Sequence, residues 1–178
     1  MRRFMILSLA SAVLGLGNLG CVGRLISEGA GTVTGASGKV VPISRNRELD
    51  RYKGLSIESI TISPGLPTPP NVTMMLRQQI LEEIDKRGLK AGGQPGLKLS
   101  AEVIHYETGG VVDTAIGPLE EMIVRTKLYD AASGAVLTEA NLVGRSKATM
   151  SSGPENLSRG VGRALDRWLD ECSLKKPD

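Results

Sequence analysis

Leu97, Leu99, Ala101 and Val103 alternate with Lys98, Ser100 and Glu102. A period of two places the aliphatic side chains on one face of a pleated strand and the polar ones on the other. Met122, Val124, Thr126 and Leu128 repeat the pattern. Asp130-Ala131-Ala132-Ser133-Gly134 then reads as a hairpin turn with glycine where a positive φ is wanted, so Ala135 to about Arg145 is the returning strand. Upstream, Leu55 to Ile62 carries Ile57, Ile60 and Ile62 and stops at Pro64, Pro67, Pro69 and Pro70, which marks another strand.

Two stretches change to the helical period. After Asn71, a residue suited to capping, Val72, Leu76, Ile80 and Ile84 recur every fourth residue up to about Arg87, and Gly88 supplies the stop. From Glu155 to about Cys172, Leu157, Val161, Ala164, Leu165, Trp168 and Leu169 form an apolar stripe. Gly160 and Gly162 weaken that helix by about 1 kcal/mol each, and permit close approach to a sheet. Its other face, with Arg159, Arg163, Asp166, Arg167 and Asp170, is expected to be solvated. The expected order is β-α-β-β-β-α. It defines an α+β fold, an α/β sandwich with a mixed four-stranded sheet, a right-handed crossover between the first two strands and two helices on one face. This domain spans 54–174, with a short tail at 175–178.

The N-terminus has a different plan. Arg2 and Arg3 precede an apolar run from Phe4 to Leu16, and Gly17-Asn18-Leu19-Gly20 leads directly to Cys21. The run is interrupted by Ser8 and Ser11 and is short of the roughly 20 apolar residues of a membrane span, so 1–20 is expected to be a cleaved signal peptide. Cys21 offers a thiol for lipid attachment and resembles the lipobox cysteine of bacterial lipoproteins. Gly20 fits that pattern; Asn18, where leucine is usual, departs from it. Two or three acyl chains at about 0.8 kcal/mol per buried CH₂ would hold the protein on a bilayer. Val22 after the cysteine resembles outer-membrane sorting in a host with two membranes. From 21 to 53 the chain is rich in Gly and Ser and then charged, which suggests a lipidated tether of roughly 30 Å r.m.s. span, within which Thr32 to Thr34 and Lys39 to Ile43 have the composition of short strands.

Charge and composition narrow the function. The chain has 22 Lys and Arg against 19 Asp and Glu; loss of Arg2 and Arg3 leaves 20 against 19, so nucleic acid is not an expected partner. Tyr52, Tyr106, Tyr129 and Trp168 are the only aromatic residues after Phe4. Stacking platforms for bases or sugars are therefore disfavoured. With Cys21 lipidated, Cys172 has no internal partner, and its register with Leu165, Trp168 and Leu169 places it in the core.

Candidate chemistry is sparse. Gly15-Leu16-Gly17-Asn18-Leu19-Gly20 spells a dinucleotide fingerprint, yet no amphipathic helix follows it. His105 is the only histidine and has too few companions for a zinc site. Glu82-Glu83 and Glu120-Glu121 are adjacent pairs whose side chains diverge, and no nucleophile is accompanied by a base. No cofactor, metal or catalytic residue is expected. The Gly-rich stretch between the middle strands, with Gly109, Gly110, Val111, Val112 and Ile116, is the candidate binding loop.

The stretches 97–103 and Thr126-Lys127-Leu128-Tyr129-Asp130-Ala131-Ala132-Ser133-Gly134-Ala135-Val136-Leu137, followed by the closing helix, resemble the α/β domain of uncharacterised bacterial envelope lipoproteins. That group is similar in outline to the N-terminal domain of TolB and to curli-secretion lipoproteins. The resemblance implies periplasmic protein contacts and no catalysis. The function expected is that of a membrane-anchored lipoprotein whose domain binds another envelope protein or its own copies. The alternative is a small-ligand or enzymatic site around His105, Tyr106 and the Gly-rich loop.

Overall fold

The alternation at 97–103 is realised as the fourth member of a five-stranded sheet. The computed structural model describes residues 35–108, 119–147 and 153–174. Its elements are β1 (Ala36–Ser44), β2 (Gly54–Ile62), α1 (Val72–Lys86), β3 (Gly96–Glu107), β4 (Leu119–Asp130), β5 (Val136–Lys147) and α2 (Pro154–Glu171). The sheet order is β1-β5-β4-β3-β2. β2 and β3, joined through α1, are parallel; β3, β4, β5 and β1 are successively antiparallel.

Two expectations need correction. The sheet has five strands, not four, and the chain from residue 36 to 53 belongs to the domain instead of serving as a tether. Lys39 to Ile43, expected as a short strand within the tether, lies inside β1; its place in the sheet was obscured because Gly38, Lys39 and Pro42 are poor strand formers, and an edge strand needs only one side of its ladder filled. Its partner β5 lies about a hundred residues away, at pairs such as Val40 with Leu142. After β1, Leu49 and Tyr52 are buried in the core, and the Leu49 N–H donates to the Cys172 carbonyl at 3.2 Å.

The helix boundaries follow local chemistry. α1 ends as Gly88 enters the left-handed region at φ 64°. The Gly88 N–H bonds to Asp85 O and that of Leu89 to Ile84 O, the paired pattern of a Schellman stop. At the other end, Asn71 occupies the cap position without a side-chain capping bond, so its expected role is not fulfilled. α2 begins with Pro154 in its first turn, where a missing N–H costs nothing.

α2 packs across β1, β5 and β4, while α1 lies beside α2 and against β2. Leu76 and Ile80 of α1, Leu165 and Trp168 of α2, and Leu99, Val124 and Leu142 of the sheet share one core. Three glycines set the distance between α2 and the sheet. A Cβ on Gly160 would lie 2.5 Å from the Ser37 carbonyl and 2.9 Å from Gly144 Cα; one on Gly38 would strike the Gly160 carbonyl, and one on Gly144 the Leu157 carbonyl. Gly160 thus rests backbone to backbone on β1 and β5. Gly162 faces α1 instead, where a Cβ would meet only the Gln79 side chain, at 3.2 Å.

The outer face of α2 is more committed than a solvated surface. The fully buried Arg87 guanidinium donates to Asp166 Oδ1 at 2.6 Å and Asp170 Oδ1 at 2.8 Å, and also to the Asp166 and Leu174 carbonyls. Arg163 and Arg167 donate to the Ala36 and Gly38 carbonyls of β1. Of the charges on that face, Arg159 makes a 3.0 Å surface pair with Glu155.

The two helix glycines should therefore respond in opposite ways. Gly160→Ala is expected to destabilise the domain by about 3 kcal/mol, since neither backbone can yield. Gly162→Ala should stay within about 1 kcal/mol of the parent, helix propensity offsetting the displaced glutamine tip. Urea denaturation of both variants checks this; equal losses would refute the packing account.

Candidate functional site

Cys21 lies outside the described residues, as do Gly109, Gly110, Val111, Val112 and Ile116. His105 and Tyr106 are described, and the strand separates them. Tyr106 is buried, with no hydrogen-bond partner at its hydroxyl. Burial, reinforced by the negative Glu120, raises its pKa. His105 is partly exposed, with Nε2 3.7 Å from Glu107 Oε2. Adjacent strand residues point to opposite faces, so these two do not converge on one ligand. Among the described residues, no three or more His, Cys, Asp or Glu are placed to hold a metal ion.

The adjacent glutamates diverge as their strand and helix positions require. Glu120 is buried and accepts from the Gly153 N–H at 2.6 Å, fixing the start of α2. Glu121 faces outward and pairs with Arg145 at 2.6 Å. Glu83 is buried beside Lys86, whereas Glu82 accepts from Gln78 and Gln79.

The face of the sheet away from the helices carries a shallow groove of about 220 Å³. β2 contributes Ser59 and Thr61, β3 Ser100 and Glu102, and β4 Arg125, Lys127 and Tyr129. The Ser100 hydroxyl is 3.2 Å from the Tyr129 hydroxyl, and Glu102 accepts from Ser63 at 2.6 Å. Arg125 and Lys127 share Glu139 at 3.8 and 3.6 Å, distances that leave both cations open to further partners. Hydroxyls and cations here can bind a polar or anionic group. Sequence reading passed over the groove because its residues are the ordinary polar alternates of three strands, two of them far apart in the chain. The signal was present only as the run Ser100, Glu102 and Arg125, Lys127, Tyr129 on a common parity.

The distinctive turn at 130–134 proves to be a structural clasp. Asp130 Oδ1 accepts from the Ala132 and Ser133 N–H groups and the Ser133 hydroxyl, while Oδ2 accepts from the buried Tyr52 hydroxyl at 2.6 Å. The Tyr52 bond, followed by the Ser133 bonds, lowers the Asp130 pKa to about 2. The Arg51 guanidinium stacks 5.0 Å from the Tyr52 ring centre, and Gly134 takes φ 72° to close the turn. Cys172 is buried as its helical register predicts. Desolvation pushes its thiol up to about 11, with Glu171 adding to the shift and a bond with Thr138 opposing it.

Known structures share this fold. No protein-family model matches the chain, and no curated protein matches it. The fold is shared with PelC from Paraburkholderia phytofirmans, solved as a dodecamer. One such structure, of a point variant, is 17% identical, covering 79% of this chain and 99% of that one at a TM-score of 0.55. A second crystal form gives 16% identity over the same shares at 0.52. A lipoprotein from Neisseria meningitidis is 12% identical over 66% of this chain and 99% of that one, at 0.41. At these identities the likeness to PelC establishes the fold.

Two outcomes follow from the buried groups. Cys172 should resist thiol reagents in native protein at pH 8 and react fully in urea, because little thiolate forms below a pKa of about 11; rapid native labelling would contradict its burial. Asp130 has a folded pKa of about 2, below its ordinary 3.8, so its stabilisation is complete above about pH 4 and lost as pH falls through 2. Tyr52→Phe should lower the urea midpoint at neutral pH and flatten the stability loss between pH 4 and 2.

Proposed function

We propose that the protein is a bacterial envelope lipoprotein, anchored through an acylated Cys21, whose periplasmic domain acts by associating with its own copies or with another envelope protein. The observation that carries this reading is the fold shared across 79% of this chain with a protein solved as a dodecamer, joined to the lipobox-like cysteine at the end of the leader. An outer-membrane location, suggested by Val22, belongs to the same reading. Self-association is the favoured mode. Exposed Met74 and Leu81 on α1 offer apolar surface to a partner copy.

In growing cells, labelled palmitate should enter the wild-type protein and be absent from Cys21→Ala; label persisting in that variant would refute the anchor. Native mass spectrometry of the detergent-extracted full chain should then resolve a closed homo-oligomer. A monomer at every accessible concentration, with no specific neighbour trapped by crosslinking in the membrane, would overturn the assembly role.

A further inference from the structure

We infer that the flank formed by β1 and the outer side of α2 is a docking surface for an anionic lipid headgroup layer, holding the anchored domain edge-on against its own membrane. The inference rests on the lipid-anchor reading of Cys21 and adds the contact surface and the lipid chemistry.

Five cations follow this flank. Arg163 and Arg167 reach from α2 to the β1 backbone, Lys39 is exposed on β1, and Arg45 and Arg47 are exposed just after it. α2 runs alongside β1, so the line continues to the point where the Ser173 hydroxyl bonds to the Arg47 carbonyl. Glu48, Asp50 and Glu171 are acidic residues near this line, and Glu139, opposite Ser44, is engaged by Arg125 and Lys127. Among the described residues, Lys39, Arg45, Arg47 and Arg167 have no carboxylate at ion-pair distance, whereas Lys86, Lys98 and Arg145 on other faces are paired at 2.6 to 2.8 Å, and Arg159, further up the same helix stripe, is paired with Glu155 at 3.0 Å.

Apolar side chains accompany the charge. Val41 and Ile43, 40% and 51% exposed, share the parity of Lys39 and face the helix-free side of the edge strand, across it from Arg163 and Arg167. Cations beside exposed aliphatic groups are the combination that settles at a headgroup boundary. Strand addition by a protein partner suits this edge poorly: Arg163 and Arg167 occupy the Ala36 and Gly38 carbonyls, and Pro42 has no N–H to offer.

The anchor enters at this same edge. Residues 22–35 join Cys21 to β1 and reach at most about 50 Å when extended. β2, the opposite edge, lies four strand spacings, about 19 Å, further from that point of entry. With the attachment so close, each cation within a Debye length of a negative leaflet favours contact about fivefold.

The test uses the full processed chain in vesicles of phosphatidylcholine with and without phosphatidylglycerol. An environment-sensitive dye is placed at Val41→Cys or, on the far flank, at Leu81→Cys; the buried Cys172 does not compete for label. The dye at 41 should shift to the blue and be quenched by brominated acyl chains only when phosphatidylglycerol is present, and the dye at 81 should not respond. Combined Lys39→Glu, Arg45→Glu and Arg47→Glu should abolish the blue shift and the quenching at 41 while the acyl chains keep the protein on the vesicle, and high salt should do the same. Equal responses at 41 with and without phosphatidylglycerol would overturn the proposal. So would a response that follows protein concentration instead of lipid charge, which assigns the flank to a second copy. The mass of the same sample reports acylation: an unacylated chain refutes the anchor reading, and its co-sedimentation with phosphatidylglycerol vesicles still decides the flank.

Discussion

The contact among Gly38, Gly144 and Gly160 sets the geometry of this domain. With no side chain between them, the backbone of α2 touches the backbones of β1 and β5, a spacing tighter than that of ordinary side-chain packing. That closeness aligns α2 along β1, which lets Arg163 and Arg167 reach the strand's outer carbonyls and brings the end of α2 to the segment after β1. It also explains why a short edge strand containing a proline is held in the sheet. Its ladder to β5 provides one side, and the helix backbone and two arginines provide the other.

A second constraint fixes α1 against α2. Arg87 sits at the C-terminal end of α1 with its side chain wholly buried and takes partners from the last turn of α2 and beyond it. A buried guanidinium is tolerable when its charge is matched, and here two carboxylates and two carbonyls take its terminal nitrogens, while Nε finds no partner among the described residues. Both helices end in a Schellman stop, Gly88 in one and Ser173 at φ 64° in the other. Arg87 joins those two ends, so the helix layer is tied polar at one end and packed through Gly162 and Gln79 nearer its middle.

These constraints leave the domain with unlike surfaces. The helix-free face of the sheet is polar, its charges mostly matched across strands, and it holds the open groove between β2 and β4. The β1 edge carries Lys39, followed by Arg45 and Arg47, beside exposed valine and isoleucine.

Much of the fold was legible in the residues. Period-two alternation located β3, β4 and β5, period-four spacing located both helices, and Gly88 and Gly134 marked their stop and turn, because each depends on side chains close in sequence. Cys172 was placed in the core for the same local reason. Tertiary structure alone decided the rest. β1 is a strand because β5 and α2 complete it from a hundred or more residues away. Asp166 and Asp170, with solvent-like spacing, are instead the partners of a buried arginine on another helix, and the turn that looked most distinctive holds Tyr52. Local pattern fixes which face of an element is apolar; which polar residue finds a partner depends on what the fold brings beside it, and that information is spread over the whole chain.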